Sequence, residues 1–398
     1  MSPEKIKISW EDVKQPKIDI KIQQSEIYAR VQSHQEKIAS QPLPLQNTKK
    51  SIWHNMVLSL AIFGFLGGLL GWFMVEKVLE CCADEKFYHL MQKLYQNEIS
   101  IEDLRKENNK YAEFFLKMND GNISQEDTKK QIEKIRVQDN YFFYIFLGVC
   151  IALFISSSEA VLAKNSNLLI KTASIASVCA LLGSAILASF IDELYRFLGG
   201  GNSEKEITQI FARTVGWGIL GLFLGIAPGI AMKSIKKTLI GLLGGFIGGL
   251  LGGLFFDQIC QYTKSGMQAR FFGMTAVGAF TGMGIGLIEN ALKTGWLRVV
   301  SGIIAGKQFI LYRNPTNIGS SPKCEIYLFK DSMVQPVHAS IHLVPGGFMI
   351  ESKNLAKTLV NEIPVTKQKL RNNDRIQIGN TIFSFQEKNK SDSEMARL

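Results

Sequence analysis

The sequence predicts an α-helical membrane bundle of six spans followed by an all-β domain. Three observations carry this. Six stretches, residues 53–75, 141–163, 168–191, 207–232, 238–260 and 271–292, are predominantly apolar, and each has the roughly 20 residues a helix needs to cross a hydrocarbon core of about 30 Å. The stretches repeat as three hairpins. In the first helix of each pair a glycine is followed nine residues later by an acid: Gly67 and Glu76, Gly183 and Asp192, Gly248 and Asp257. The second helices align on Gly148, Gly218 and Gly278, followed eleven residues later by Glu159, Gly229 and Glu289. Such fixed-period self-similarity decides the architecture before any single residue does. From Arg298 onward the pattern changes to short β-branched and aromatic runs broken by Gly, Asn and Pro.

Taken in order, residues 1–52 form a polar leader of mixed charge with Gln and Pro and no sustained apolar period, which predicts a mostly disordered segment. Residues 76–140 separate the first two spans with charges of alternating sign, the composition of a solvated helical hairpin. Asn119-Asp120-Gly121-Asn122 is its turn, and Ser124 with Asp127 reads as a capping box that restarts a helix running into the second span. A mean hydropathy of only +0.08 averages these polar segments with the spans.

The net charge of +10 fits nucleic acid or an anionic membrane surface. The membrane reading prevails because the lysines collect at the ends of the apolar stretches, and no nucleic-acid partner is expected. Lys and Arg in short loops mark the cytoplasmic side. Lys164 and Lys171 flank one turn and Lys233, Lys236 and Lys237 fill another, whereas the connection from Asp192 to Glu206 is acidic. Both termini are therefore expected in the cytoplasm, residues 76–140 outside it, and the chain in an inner (plasma) membrane as a multi-pass protein.

The spans are rich in glycine. Gly244, Gly245, Gly248, Gly249, Gly252 and Gly253 form pairs at spacing four, and Gly67, Gly68, Gly183, Gly282 and Gly286 add further notches. Between helices in lipid, close van der Waals approach of small residues replaces the hydrophobic drive, so these positions are expected to pack the bundle. A pore lining and an oligomer seam are the other uses of such a face. The acids Glu76, Asp192 and Asp257 are placed at the outer ends of their spans, within reach of water. Glu159 and Glu289 fall near the inner ends beside Lys164 and Lys293. Acids so placed are expected to cap and pair rather than conduct.

The six cysteines have no metal-ligand spacing, and no P-loop, zinc pair or nucleophile elbow is present. The sequence therefore points to no enzyme, metal or cofactor.

Many short strands at this spacing predict a β-sandwich over residues 298–388. Its turns carry Ile318-Gly319-Ser320, Glu325-Ile326, Gln335-Pro336-Val337-His338-Ala339, Ala356-Lys357-Thr358-Leu359-Val360-Asn361 and Leu370 to Gly379. In order and spacing these resemble the five signature segments of the forkhead-associated (FHA) domain. The resemblance implies a binding module for phosphothreonine peptides, but the residues that hold phosphate in that family are replaced. Ser320 stands at the arginine position, Gln335 at the serine and Ala356 at the asparagine. Of the family pattern His338, Thr358 and Asn361 persist, with His338 as a loop brace and the other two as turn residues. The remaining cations near these loops are Lys323, Lys330 and Lys357, and a lysine offers a point charge rather than a bidentate fork. A partner surface is expected on Ser320, Ser321, Lys323, Gln335, His338, Lys357, Thr358 and Asn361. The chain thus reads as a membrane scaffold expected to recruit a protein partner through a degenerate FHA module without phosphate as the key; a transporter or channel with an FHA-like sensor is the alternative, and a phosphothreonine-dependent adaptor a further one.

Overall fold

The computed structural model describes residues 33, 55–82, 93, 100–106, 110–121, 123–198, 206–262, 266–329, 331–353 and 356–388. Apart from Ser33, the expected polar leader lies outside them. The helices are α1 (Met56–Cys82), α2 (Ile101–Lys106), α3 (Lys110–Asn119), α4 (Gln125–Leu162), α5 (Ser166–Phe197), α6 (Glu206–Ala231), α7 (Ile235–Tyr262) and α8 (Gly266–Leu292). Six of them, α1 and α4 to α8, are long and apolar enough to cross a membrane. On α5 the outward face carries Ile170, Val178, Leu182 and Ile186, all more than half exposed, as a lipid-facing helix requires.

Helix α4 is continuous from the polar hairpin into its span. Ser124 caps it, accepting the Asp127 N–H at 3.1 Å and donating to the Asp127 carboxylate at 2.7 Å. The preceding turn after α3 uses Gly121 at φ +70°.

The six long helices form a closed ring in which each packs on its neighbours in sequence and α8 returns to α1. The repeat explains the closure. An added Cβ at Gly67 would stand 2.7 Å from the Ile151 Cα of α4, at Gly183 2.5 Å from Phe223 of α6, and at Gly248 2.6 Å from the Thr281 Cα of α8. Each first-helix glycine thus faces the second helix of its own hairpin. The second-helix glycines face the next hairpin instead: Gly148 meets Ser184 of α5, Gly218 meets Leu250 of α7, and Gly278 meets the Gly64 carbonyl of α1. One contact rule applied three times therefore closes the ring. On α7 the glycines split into two rows, with Gly244, Gly248 and Gly252 against α8 and Gly245, Gly249 and Gly253 against α6. Gly68 lies against Met274 and Thr275 of α8, and Gly282 and Gly286 lie against Leu60 and Val57 of α1.

The β-sandwich follows. Its strands are β1 (Gly295–Ser301), β2 (Gln308–Ile310), β3 (Thr316–Gly319), β4 (Ile326–Tyr327), β5 (Ala339–Val344), β6 (Gly347–Ser352), β7 (Thr358–Val360), β8 (Ile363–Val365), β9 (Lys367–Leu370), β10 (Arg375–Ile378) and β11 (Thr381–Glu387). One sheet has the order β2-β1-β11-β10-β7-β8 and the other β4-β3-β5-β6-β9. All pairs are antiparallel except β3 with β4. Alternate residues of both sheets, among them Leu297, Ile318, Ile341, Ile350, Ile376, Phe383 and Phe385, fill the layer between them, the period-two burial of a sandwich.

One boundary differs from the sequence reading. The β pattern is read from Arg298 onward, yet Arg298 is the middle of β1, paired with β11 on one side and β2 on the other. Burial of Leu297 and Val299 outweighs the polar residues flanking them. Only Lys293 and Thr294 therefore separate the end of α8 from the start of the sandwich, too little for a flexible linker.

Candidate functional site

The loops that resemble the phosphopeptide-binding end of an FHA domain lie beside β3, β5 and β7. The Ser320 N–H donates to the Gln335 carbonyl at 2.9 Å and the Ser321 N–H to the Pro336 carbonyl at 3.1 Å, so the two loops are laced together by backbone. His338 is 2 % exposed. Its Nδ1 lies 3.3 Å from the Gln335 N–H and its Nε2 3.3 Å from the Lys357 carbonyl. Burial lowers its pKa, with the Lys357 carbonyl bond opposing, which favours the neutral ring that braces its own loop and joins it to the loop of Lys357. Asn361, at φ 49°, donates to Asp374 at 2.8 Å and accepts the Arg375 N–H at 2.9 Å. Thr358 Oγ1 donates to Ser352 at 3.0 Å. Burial raises the Asp374 carboxyl, against the pull of the Arg371 N–H and Asn361.

His338, Thr358 and Asn361 are therefore interior braces, each at most 2 % exposed; Thr358 and Asn361 leave the expected partner surface, whereas His338 still lines the cavity between the loops. Between the loops a cavity of about 220 Å³ is lined by Met333, Gln335, His338, Ala356, Lys357, Leu359, Gln377 and Gly379. Among the described residues Lys357 is the one lysine or arginine in that lining, and the Ala356 side chain presents no donor. Lys323 faces elsewhere, onto the bundle. Lys330 lies outside the described residues.

The charged residues of the spans meet in a way the sequence did not indicate. Beside α7, the Lys237 ammonium donates to Glu159 of α4 at 2.8 Å and to Glu289 of α8. The Lys237 and Glu289 side chains are almost fully buried. Tyr312 of the module donates to the same Glu289 oxygen at 2.6 Å, and Lys307 of the module donates to the Glu159 main-chain carbonyl at 3.0 Å. Burial pushes the Lys307 ammonium down to about 8, with the Glu159 charge opposing. Burial and then the Glu289 charge drive the Tyr312 phenol upward, so it remains a donor.

This corrects the expected pairing of Glu159 with Lys164 and of Glu289 with Lys293. Lys164 turns away at φ 52° to lie 5.9 Å from the Phe329 ring, and Lys293 lies 4.2 Å from the Trp296 ring. The third repeat position, Gly229, has no room for an acid, because an added Cβ would run into the Thr238 backbone. At the opposite end Glu76 is 7 % exposed rather than open to water. Arg270 grips it with two bonds, 2.6 and 3.1 Å, joining α1 to α8. The side chains of Asp192 and Asp257 lie outside the described ones.

Residues 298–389 match the family model described as "Inner membrane component of T3SS, cytoplasmic domain". The C-terminal module is an FHA-like sandwich. Among solved structures the FHA-like module is similar to the FHA domain of CT664 from Chlamydia trachomatis, at 22 % identity over 24 % of this chain and 99 % of that one, with a TM-score of 0.22. It is similar also to the cytoplasmic domain of the T3SS sorting platform protein PscD from P. aeruginosa, at 17 % identity over 24 % of this chain and 82 % of that one, with a TM-score of 0.22. A third is the FhaA FHA domain complexed with the intracellular domain of Rv3910, at 21 % identity over 23 % of this chain and the whole of that one, with a TM-score of 0.22. No curated protein matches the chain.

Proposed function

We propose that the chain is a non-enzymatic inner-membrane scaffold whose FHA-like module recruits a cytoplasmic protein partner without requiring phosphate. The observation that carries the reading is the loop cavity, whose lining among the described residues holds one lysine, Lys357, and no arginine. A phosphate dianion is recognised by charge-assisted donors, best by an arginine fork, and Ser320, Gln335 and Ala356 supply no such set. The direct passage from α8 to β1 and the bonds from Lys307 and Tyr312 to the bundle support a module presented in a fixed orientation. Loops held on a rigid frame are suited to recognition. The family match over residues 298–389 supports a structural role at an inner membrane over transport or catalysis.

Two measurements test this. In calorimetric titration of the detergent-solubilised full chain, a phosphothreonine peptide and its unphosphorylated form should differ by less than about ten-fold, or about 1.4 kcal/mol. The combined change Ser320→Arg, Gln335→Ser and Ala356→Asn should widen that difference. A larger preference in the unaltered chain would make the partner a kinase product and reject phosphate independence. The lysine distribution predicts sidedness: in a cysteine-free background on intact cells, an impermeant maleimide should label a thiol at Asp120 and spare one at Met333. The reverse pattern would place the module outside the cytoplasm.

A further inference from the structure

A cavity of about 340 Å³ lies between the bundle and the module, within the range of small-molecule sites. Four helix ends contribute, through Met56 and Leu60 of α1, Leu162 of α4, Lys171 of α5 and Ala231 of α6, and the module closes it with Lys307 and Phe309. Met56, Leu162 and Ala231 are terminal residues of their membrane-competent segments, and Lys171 lies five residues inside its own, roughly 8 Å at 1.5 Å per residue. The cavity therefore sits where headgroups meet acyl chains.

Its chemistry is divided. The helix ends give it an apolar wall, whereas Lys171, Lys307 and Lys323 bring cationic ends to the other side. The acids in the lining are already engaged, Glu159 by Lys237 and Glu325 by Arg313, so the cavity retains an excess of positive charge. Lys171 and Lys323 are exposed at its rim. Basic pockets between membrane helices suit anionic headgroups, and an apolar wall at this depth suits the first methylenes of an acyl chain.

We propose that this junctional cavity is a binding site for an anionic phospholipid, its phosphate held by Lys171, Lys307 and Lys323 and its proximal acyl chain lying against the α1, α4 and α6 ends. The lipid would then bridge membrane and module at the place where both meet.

The test uses delipidated full chain in mild detergent, titrated by native mass spectrometry with phosphatidylglycerol and with phosphatidylcholine of the same acyl chains. Phosphatidylglycerol should bind at least about ten-fold more tightly, and Lys171→Gln with Lys323→Gln should remove most of that difference. Both residues are exposed, so this variant should melt as the unaltered chain does; Lys307→Gln, which also loses a bond to α4, is the secondary variant. Equal binding of the two lipids, or an unchanged preference in the double variant, would overturn the proposal. Displacement of phosphatidylglycerol by inorganic phosphate at comparable concentration would also overturn it, in favour of a site for free anions.

Discussion

Lys237→Met should destabilise the chain by about 3–5 kcal/mol, read as a fall in the melting midpoint in mild detergent. The ammonium is the shared partner of Glu159 and Glu289, and removing it leaves the buried Glu289 carboxylate without a counter-charge and facing Glu159, whose own side chain is 38 % exposed. Breaking a buried ion pair by deleting one member costs this much because the other charge stays behind. Replacing all three charges, with Lys237→Met, Glu159→Gln and Glu289→Gln, should restore most of the loss, since a neutral set has no uncompensated charge to bury. Tyr312 can still donate to a glutamine oxygen at position 289. A single variant that melts within about 0.5 kcal/mol of the unaltered chain, the scale of an inconsequential surface change, would show that the cluster does not hold the bundle to the module.

Gly248→Leu should be comparably damaging, at about 3 kcal/mol or more, the upper end of overpacking costs. Even the Cβ would contact the Phe280 carbonyl and stand 2.6 Å from the Thr281 Cα, so backbone rather than a pliable side chain must yield. Gly121→Ala is the informative contrast. Nothing lies within 4 Å of its Cβ position, but its φ is +70°, so the change should cost only the roughly 1–2 kcal/mol of a left-handed backbone. Equal thermal shifts for Gly248→Ala and Gly121→Ala would refute close helix approach as the function of the repeated glycine.

What could be read in the sequence was local or periodic. Apolar length marks a span wherever it lies, so 168–191 and the membrane-competent Ser166–Ile191 nearly coincide. Strands with β-branched runs were equally visible, as at Arg375–Ile378. The short strands Thr358–Val360 and Ile363–Val365 were not, since three residues give no period and their pairing comes from the turn at Asn361. The charge cluster was hidden for a different reason. Lys237 is 78 residues from Glu159 and 52 from Glu289, whereas Lys164 and Lys293 are close in sequence and offered themselves as partners. The clue lay in the repeat itself: Met56 and Thr172 occupy the positions equivalent to Lys237, so a lone cation and two acids broke an otherwise uniform pattern. In the module, resemblance located the loops, but only burial showed that His338 and Asn361 face inward.

The closed ring also imposes an order on biogenesis. Helix α1 is made well before α8, yet Gly64, Gly68 and the Glu76 carboxylate find their partners there, with Arg270 following 194 residues later. At about 5–20 residues per second, the nascent first hairpin must wait roughly 10–40 s in the bilayer with an acid unpaired and a notched surface uncovered. Until α8 is made, the side of α1 that carries Gly64, Gly68 and Glu76 lacks these partners, so the packing of the first span is completed only by the last.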